Sequence, residues 1–186
     1  VGGLWSLPLT LAQGITTILF YATDASSNRS SAATTTVFVD SVSPTVSLSL
    51  AECADSLSPS ACVLAATTLS SSWSSSASDI AYFVVNQNGI VSTTTSLASV
   101  VTATNRTLYS ASVSAVDHLG NTSATSTASA FIETKPVVVS EVAWAGTSAS
   151  ASDEWLELYN NTPYAISLAN WTLFASDLSP YIPLSG

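Results

Sequence analysis

The feature that most constrains this chain is a repetition. Moving the sequence by 93 residues lays Asp24 on Asp117, Asn28 on Asn121, Phe38 on Phe131, Val39 on Ile132 and Asp40 on Glu133. The prolines that close the two copies, Pro44 and Pro136, stand one residue out of step. Solenoid repeats recur every ~20–50 residues, so a spacing this long is that of whole domains, each about the size of one β-sandwich. The two copies, residues 20–44 and 113–136, therefore mark where domains end. They divide the chain into the C-terminal part of one domain (1–43), a complete domain (44–135) and the opening part of a third (136–186).

Each copy has the pattern of a hairpin. Ala111, Val113 and Ala115 alternate with Ser110, Ser112 and Ser114, a period of two that buries one strand face and wets the other. Ile18, Phe20 and Ala22 hold the matching places in the first copy. The runs DASSN and DHLGN then supply the Asp, Gly and Asn that a tight turn needs. A returning strand ends in Val37 and Val39, or in Ala130 and Ile132. The fold class is all-β.

On these residues the motif resembles the last two strands of bacterial immunoglobulin-like and fibronectin type III modules, which implies tandem Ig-like β-sandwiches. Other stretches of the middle domain agree. A first strand is expected over 45–50. In CVLAATTLSSSWSSS, Leu69 and Trp73 share a face, as in a fibronectin type III strand B. Asn88-Gly89, the strongest short hairpin signal, joins strands over 81–85 and 90–94. Tyr109 stands where such modules place a tyrosine corner. Trp73, Tyr82 and Tyr109 are expected to anchor the core, with plain core filling the simpler reading of each.

The flanking parts read as incomplete. WSLPLTLAQG predicts an outer strand and a turn, followed by strands in ITTILFYATD and SSAATTTVFVD. The apolar face of Ile18, Phe20 and Val37 then stays open unless an upstream segment or another chain covers it. From Pro136 the chain resembles the start of a lamin-tail domain. The likeness rests on Ser140-Glu141-Val142, on Asp153-Glu154-Trp155, on Glu157 to Asn160 and on a strand over 168–173 holding Trp171. It implies that Leu156 and Leu158 point inward, with Trp171 and Leu173 nearby. No signal peptide is visible at Val1, and the true N-terminus is expected upstream.

Composition narrows the function. Only 8% of residues are charged, against about 25% in ordinary soluble domains, and Ser and Thr fill roughly a third of the chain. A hydroxyl surface of this kind suits an extracellular or cell-surface protein. The net charge of −9, with Arg29, Arg106 and Lys135 the only basic residues, leaves nothing to neutralise a phosphate backbone, so nucleic acid is excluded as a partner. No apolar run reaches the roughly 20 residues of a membrane span.

Catalytic chemistry finds little support. A serine triad needs a base, and the single histidine, His118, belongs to a hairpin turn. Cys53 and Cys62, in ECADSLSPSAC, are too few for a four-ligand zinc site and are expected to form a disulfide, with free thiols as the alternative. Asp24, Asp40, Asp117 and Glu133 recur near the domain ends, where hard oxygens could hold calcium; the plainer reading is that the aspartates cap turn N–H groups. Otherwise no cofactor is expected. Sequons stand at Asn28, Asn105, Asn121, Asn160 and Asn170, with Asn28, Asn105 and Asn121 favoured for glycosylation because they lie at or near turns.

Two functional readings follow. The first is a structural segment of a secreted or surface protein, a stalk, adhesin or filament subunit, whose partners are other domains of the same polypeptide or neighbouring copies meeting by strand addition. The second is an accessory binding region of a secreted hydrolase.

Overall fold

The computed structural model describes residues 4–58 and 61–185. Strands β1 (Gly14–Phe20) and β2 (Ala33–Val39) form an antiparallel hairpin with Gly14 opposite Val39 and Phe20 opposite Ala33. Ile18, Phe20 and Val37 are half-buried on one face, where Trp5 meets Phe20 at 5.5 Å. Ile15, Leu19 and Phe38 are exposed on the other. The outer strand expected in WSLPLTLAQG is absent: residues 4–13 form no strand. Pro8 has no N–H to give a ladder, and the segment instead lays Trp5 on the hairpin.

The next unit is a β-sandwich. Its strands are β3 (Ser47–Leu50), β4 (Val63–Leu64), β5 (Thr68–Ser74), β6 (Ile80–Gln87), β7 (Ile90–Thr94), β8 (Ala98–Thr102), β9 (Thr107–Asp117) and β10 (Ser126–Ile132). One sheet runs β3-β5-β8 and the other β4-β10-β9-β6-β7, with β4 parallel to β10 and every other pair antiparallel. This is the two-sheet arrangement of Ig-like folds. A short 3-10 helix, Ala51–Asp55, follows β3.

Alternation along β9 buries Tyr109, Ala111, Val113 and Ala115 and builds the core from the C-terminal hairpin outward. Two clusters result. Leu50, Leu64, Leu69, Tyr109, Ala111, Ala130 and Ile132 form one; Trp73, Phe83, Val85, Val113 and Ala115 form the other. Asn88 and Gly89 both have positive φ, 50° and 87°, the backbone that a two-residue primed turn requires.

Two expectations about the aromatics need correction. Tyr82 does not anchor the core: it is 39% exposed, and Phe83, at 4%, takes the inward place. The unbroken apolar run IAYFVV carries no phase, and a bulge between Ile80 and Tyr82 resets the alternation. Tyr109 is buried, yet its hydroxyl has no partner among the described residues, so it fills the core without a tyrosine-corner bond. Burial holds its phenol above the usual range.

The last unit comprises a hairpin of β11 (Val137–Ala143) with β12 (Trp155–Asn160), and a small one of β13 (Thr172–Phe174) with β14 (Tyr181–Pro183). Leu156, Leu158, Trp171 and Leu173 are half-buried. The strand expected over 168–173 starts only at Thr172, because Asn170 (φ 68°) and a bond from Trp171 N to Leu168 O (3.0 Å) make a turn there. Between the two hairpins lies an open apolar cleft of 380 Å³, whose walls include Trp144, Trp155, Leu173 and Ile182. Among the described residues no helix is long and apolar enough to cross a membrane.

Candidate functional site

The repetition seen in the sequence recurs as hydrogen bonds. Asp24 Oδ1 accepts from Ser26 N and Asn28 N, both at 2.9 Å, and its Oδ2 from Asn28 Nδ2 at 2.9 Å. Asp117 Oδ1 accepts from Leu119 N (2.9 Å) and Asn121 N (2.8 Å), and its Oδ2 from Asn121 Nδ2 (2.8 Å). Behind each turn a serine closes the hairpin: Ala22 N donates to Ser30 Oγ at 3.0 Å, and Ala115 N to Ser123 Oγ at 2.8 Å. Asp24 and Asp117 thus each accept from the N–H groups of their own turn.

The strand that returns from each turn ends in a second shared device. Asp40 Oδ1 accepts from Val42 N (3.0 Å) and from Gln13 Nε2 (2.6 Å). Glu133 accepts from Lys135 N at Oε1 (3.0 Å) and from Arg106 Nε at Oε2 (3.1 Å). Gln13 and Arg106 fall on one another under the same shift of 93, a signal present in the sequence but not picked out there.

Each device holds the chain where one unit passes into the next. At the first junction Asn121 Nδ2, already bonded to Asp117, also donates to Asp40 O at 3.2 Å. At the second, Arg106 bridges buried Glu133 and Asn161 Oδ1. Asn161 in turn donates from its backbone N to Pro136 O (2.9 Å) and from Nδ2 to Lys135 O (3.3 Å). Phe131 meets Tyr164 edge-on at 5.5 Å, and Ser167 N donates to Leu57 O at 2.9 Å. Asn161 was missed from the sequence because its unit has no second copy to reveal it.

These bonds set the acid side of the protein's stability. The amide and N–H of Asn28 hold Asp24 below the usual carboxylate range. The Val42 N–H and the Gln13 amide lower Asp40 despite the charge of Asp117. Burial pushes Asp117 up, but the amide and N–H of Asn121, with the N–H of Leu119, outweigh it and leave it lowered. The Lys135 N–H, aided by Arg106, lowers Glu133 against its burial. Groups lowered on folding give stability that is whole above their unfolded values and is lost as pH falls through the folded ones. The urea midpoint should therefore drop between about pH 5 and pH 2, and more steeply in the parent than in Asp117→Asn. Equal slopes in the two proteins would contradict the assignment.

Asp40, Asp79 and Asp117 each offer one carboxylate oxygen, and these lie within 4.8 Å of one another. Among the described residues they are the group whose hard oxygens could hold a divalent ion. Asp24 and Glu133 do not belong to this group. Asp79 has no counterpart in the repeat and carried no sequence signal.

Cys53 and Cys62 form a disulfide with Cα atoms 5.2 Å apart. His118 is exposed in its turn. Of the sequon asparagines, Asn28 and Asn121 spend Nδ2 on their aspartates, and Asn160 donates Nδ2 to Tyr164 O at 2.7 Å. Asn105 accepts from Thr134 N at Oδ1 (2.7 Å), and Asn170 is exposed in its turn.

No family model matches the chain, and no curated protein does. Among solved structures it is similar to the fibronectin(III)-like modules of CbhA from Clostridium thermocellum, at 19% identity and a TM-score of 0.37. That match covers 66% of this chain and 64% of the other. The sandwich assignment rests on the strand order itself.

Proposed function

We propose that the chain is a non-catalytic structural segment of a secreted or cell-surface multidomain protein, part of a stalk, adhesin or extracellular filament whose modules are joined stiffly. The observation that carries this is the clamp of Arg106, Glu133 and Asn161, in which Arg106, paired with a carboxylate only 1% exposed, reaches from the β-sandwich to Asn161 of the unit that follows it. The pair is buried on one side only, Glu133 at 1% and Arg106 at 64% exposed, and its geometry is held by the further bonds that Lys135 N donates to Glu133 and that Asn161 donates to Lys135 O and Pro136 O. The Asp40–Asn121 bond gives the first junction a similar tie. The disulfide fits an oxidising compartment. On this reading residues 1–43, 44–135 and 136–186 are successive modules, the last of lamin-tail type. The test is whether the sandwich and β11–β12 tumble as one body, and whether Arg106→Ala with Asn161→Ala separates them.

Exposed apolar faces on both flanking units, Ile15, Leu19 and Phe38 on one and Trp144, Trp155 and Ile182 on the other, are then covered by neighbouring modules or by strand addition from another copy. Expressed by itself, the chain should associate, with a sedimentation mass above the 19.1 kDa of one copy. A mass of one copy at all concentrations would contradict this.

A further inference from the structure

The unit that follows the sandwich rests on one edge of it, and three of its contacts there lead back to the same segment. Ser167 N donates to Leu57 O at 2.9 Å, and Leu57 lies inside the loop that the Cys53–Cys62 bond closes. Tyr164 meets the ring of Phe131, whose backbone N donates to Cys62 O at 2.8 Å. Glu133, the carboxylate of the clamp, donates its backbone N to Leu64 O at 2.9 Å. Leu57, Cys62 and Leu64 thus form a seat for residues 161–167.

The outer part of that seat is held by the disulfide. Burial of Val63 and Leu64 keeps β4 on the core, but β4 is an edge strand of two residues, the kind of element that opens before the rest of a sandwich. Within the loop, Leu57 N donates to Val63 O (3.0 Å), Val63 N to Ser56 Oγ (3.0 Å) and Ser56 Oγ to Ala61 O (2.6 Å). These bonds are local, so they fix the loop's shape and not its place. The place comes from Cys53, which follows Glu52, whose carboxylate accepts from Ser70 N of β5 in the other sheet at 3.0 Å. The disulfide therefore ties the seat, beside β4 and β10, to the opposite sheet.

We infer that oxidation of Cys53 and Cys62 sets the joint. The clamp is one point of attachment, about which a unit can still turn; Leu57 and Phe131 supply a second, which fixes the orientation of β11 and β12. With the thiols free, the second point loosens and the unit swivels about the clamp. The chain is then pliant while reduced and stiffens in an oxidising compartment. The step is thiol–disulfide exchange with an oxidised dithiol: Cys53 and Cys62 give up two electrons and two protons and form one S–S bond, while the S–S bond of the acceptor breaks into two thiols. Both cysteines are half-buried, within reach of a small dithiol. The inference rests on the reading of this junction as stiff.

The test compares residual dipolar couplings of the ¹⁵N-labelled full chain before and after dithiothreitol. In the oxidised chain one alignment tensor should fit β9, β10, β11 and β12. In the reduced chain the peaks of β6 and β9 should persist, while the tensor for β11 and β12 should fall to roughly two-thirds or less of the sandwich's, the step from rigid to flexible order. Cys53→Ser with Cys62→Ser should give the reduced result without reductant. Coupling is reciprocal, so Arg106→Ala with Asn161→Ala should raise the ratio of reduced to oxidised chain in a dithiothreitol buffer by about fivefold or more. One shared tensor in both redox states would overturn the inference and leave the stiff joint standing; two unequal tensors in the oxidised chain would overturn both. An unchanged redox ratio in the double variant would also overturn it, as would loss of the β6 and β9 peaks on reduction, which would make the bond a support of the whole sandwich.

Discussion

Trp73→Ala should cost the sandwich about 3–5 kcal/mol. Trp73 is 4% exposed, meets Phe83 edge-on with centroids 6.3 Å apart, and shares a cluster with Val85, Val113 and Ala115. Its strand belongs to the three-stranded sheet and those neighbours to the five-stranded one, so the indole is a principal contact between the two sheets at that end. Removing it leaves a cavity that Leu48 and Val46, only partly buried there, are too short to fill. The urea midpoint should fall with little change in slope, since the surface exposed on unfolding is nearly the same. A loss under about 1 kcal/mol would place Trp73 outside the load of the core and undo the assignment of β5 as an inner strand.

Reducing the Cys53–Cys62 bond should cost about 2.5–3 kcal/mol, the loop-closure entropy it removes from the unfolded chain. Its effect should concentrate at one edge. Both cysteines pack against the cluster of Leu50 and Leu64, and Cys62 O accepts from Phe131 N at 2.8 Å, next to the two-residue parallel pairing of β4 with β10. Glu52 adds a second anchor by accepting from Ser70 N at 3.0 Å. Amide exchange should therefore accelerate first in β4 and at Phe131, before β6 or β9 respond. Mass spectrometry after alkylation decides the premise: both thiols modified without reductant, in protein isolated under oxidising conditions, would contradict the bond.

What the sequence showed, and what it hid, divides by the range of the interaction. The Asp-to-Asn turns at 24–28 and 117–121 were legible because the bonds to each aspartate's carboxylate close within four residues, so the residue types alone carry the geometry. Leu69 and Trp73 were legible because Ser, a poor core residue, flanks them and fixes the phase. Tyr82 and Phe83 were not, since both are apolar and only the bulge beside them chooses which faces in. Strand β4, two residues long, is defined by its parallel partner rather than by any pattern of its own. The Arg106–Asn161 contact spans 55 residues and joins two units of different type, so neither period nor repeat could announce it.

Residual dipolar couplings of the full chain test the central claim, that its units are joined stiffly through built junctions. Amides of β9 and β10 report the sandwich, and those of β11 and β12 the unit beyond the Arg106–Glu133–Asn161 clamp. With the clamp intact, one alignment tensor should fit both sets, and Arg106→Ala with Asn161→Ala should split it into two of different magnitude. Two unequal tensors in the parent chain, unchanged by the substitutions, would show a flexible joint and contradict the account.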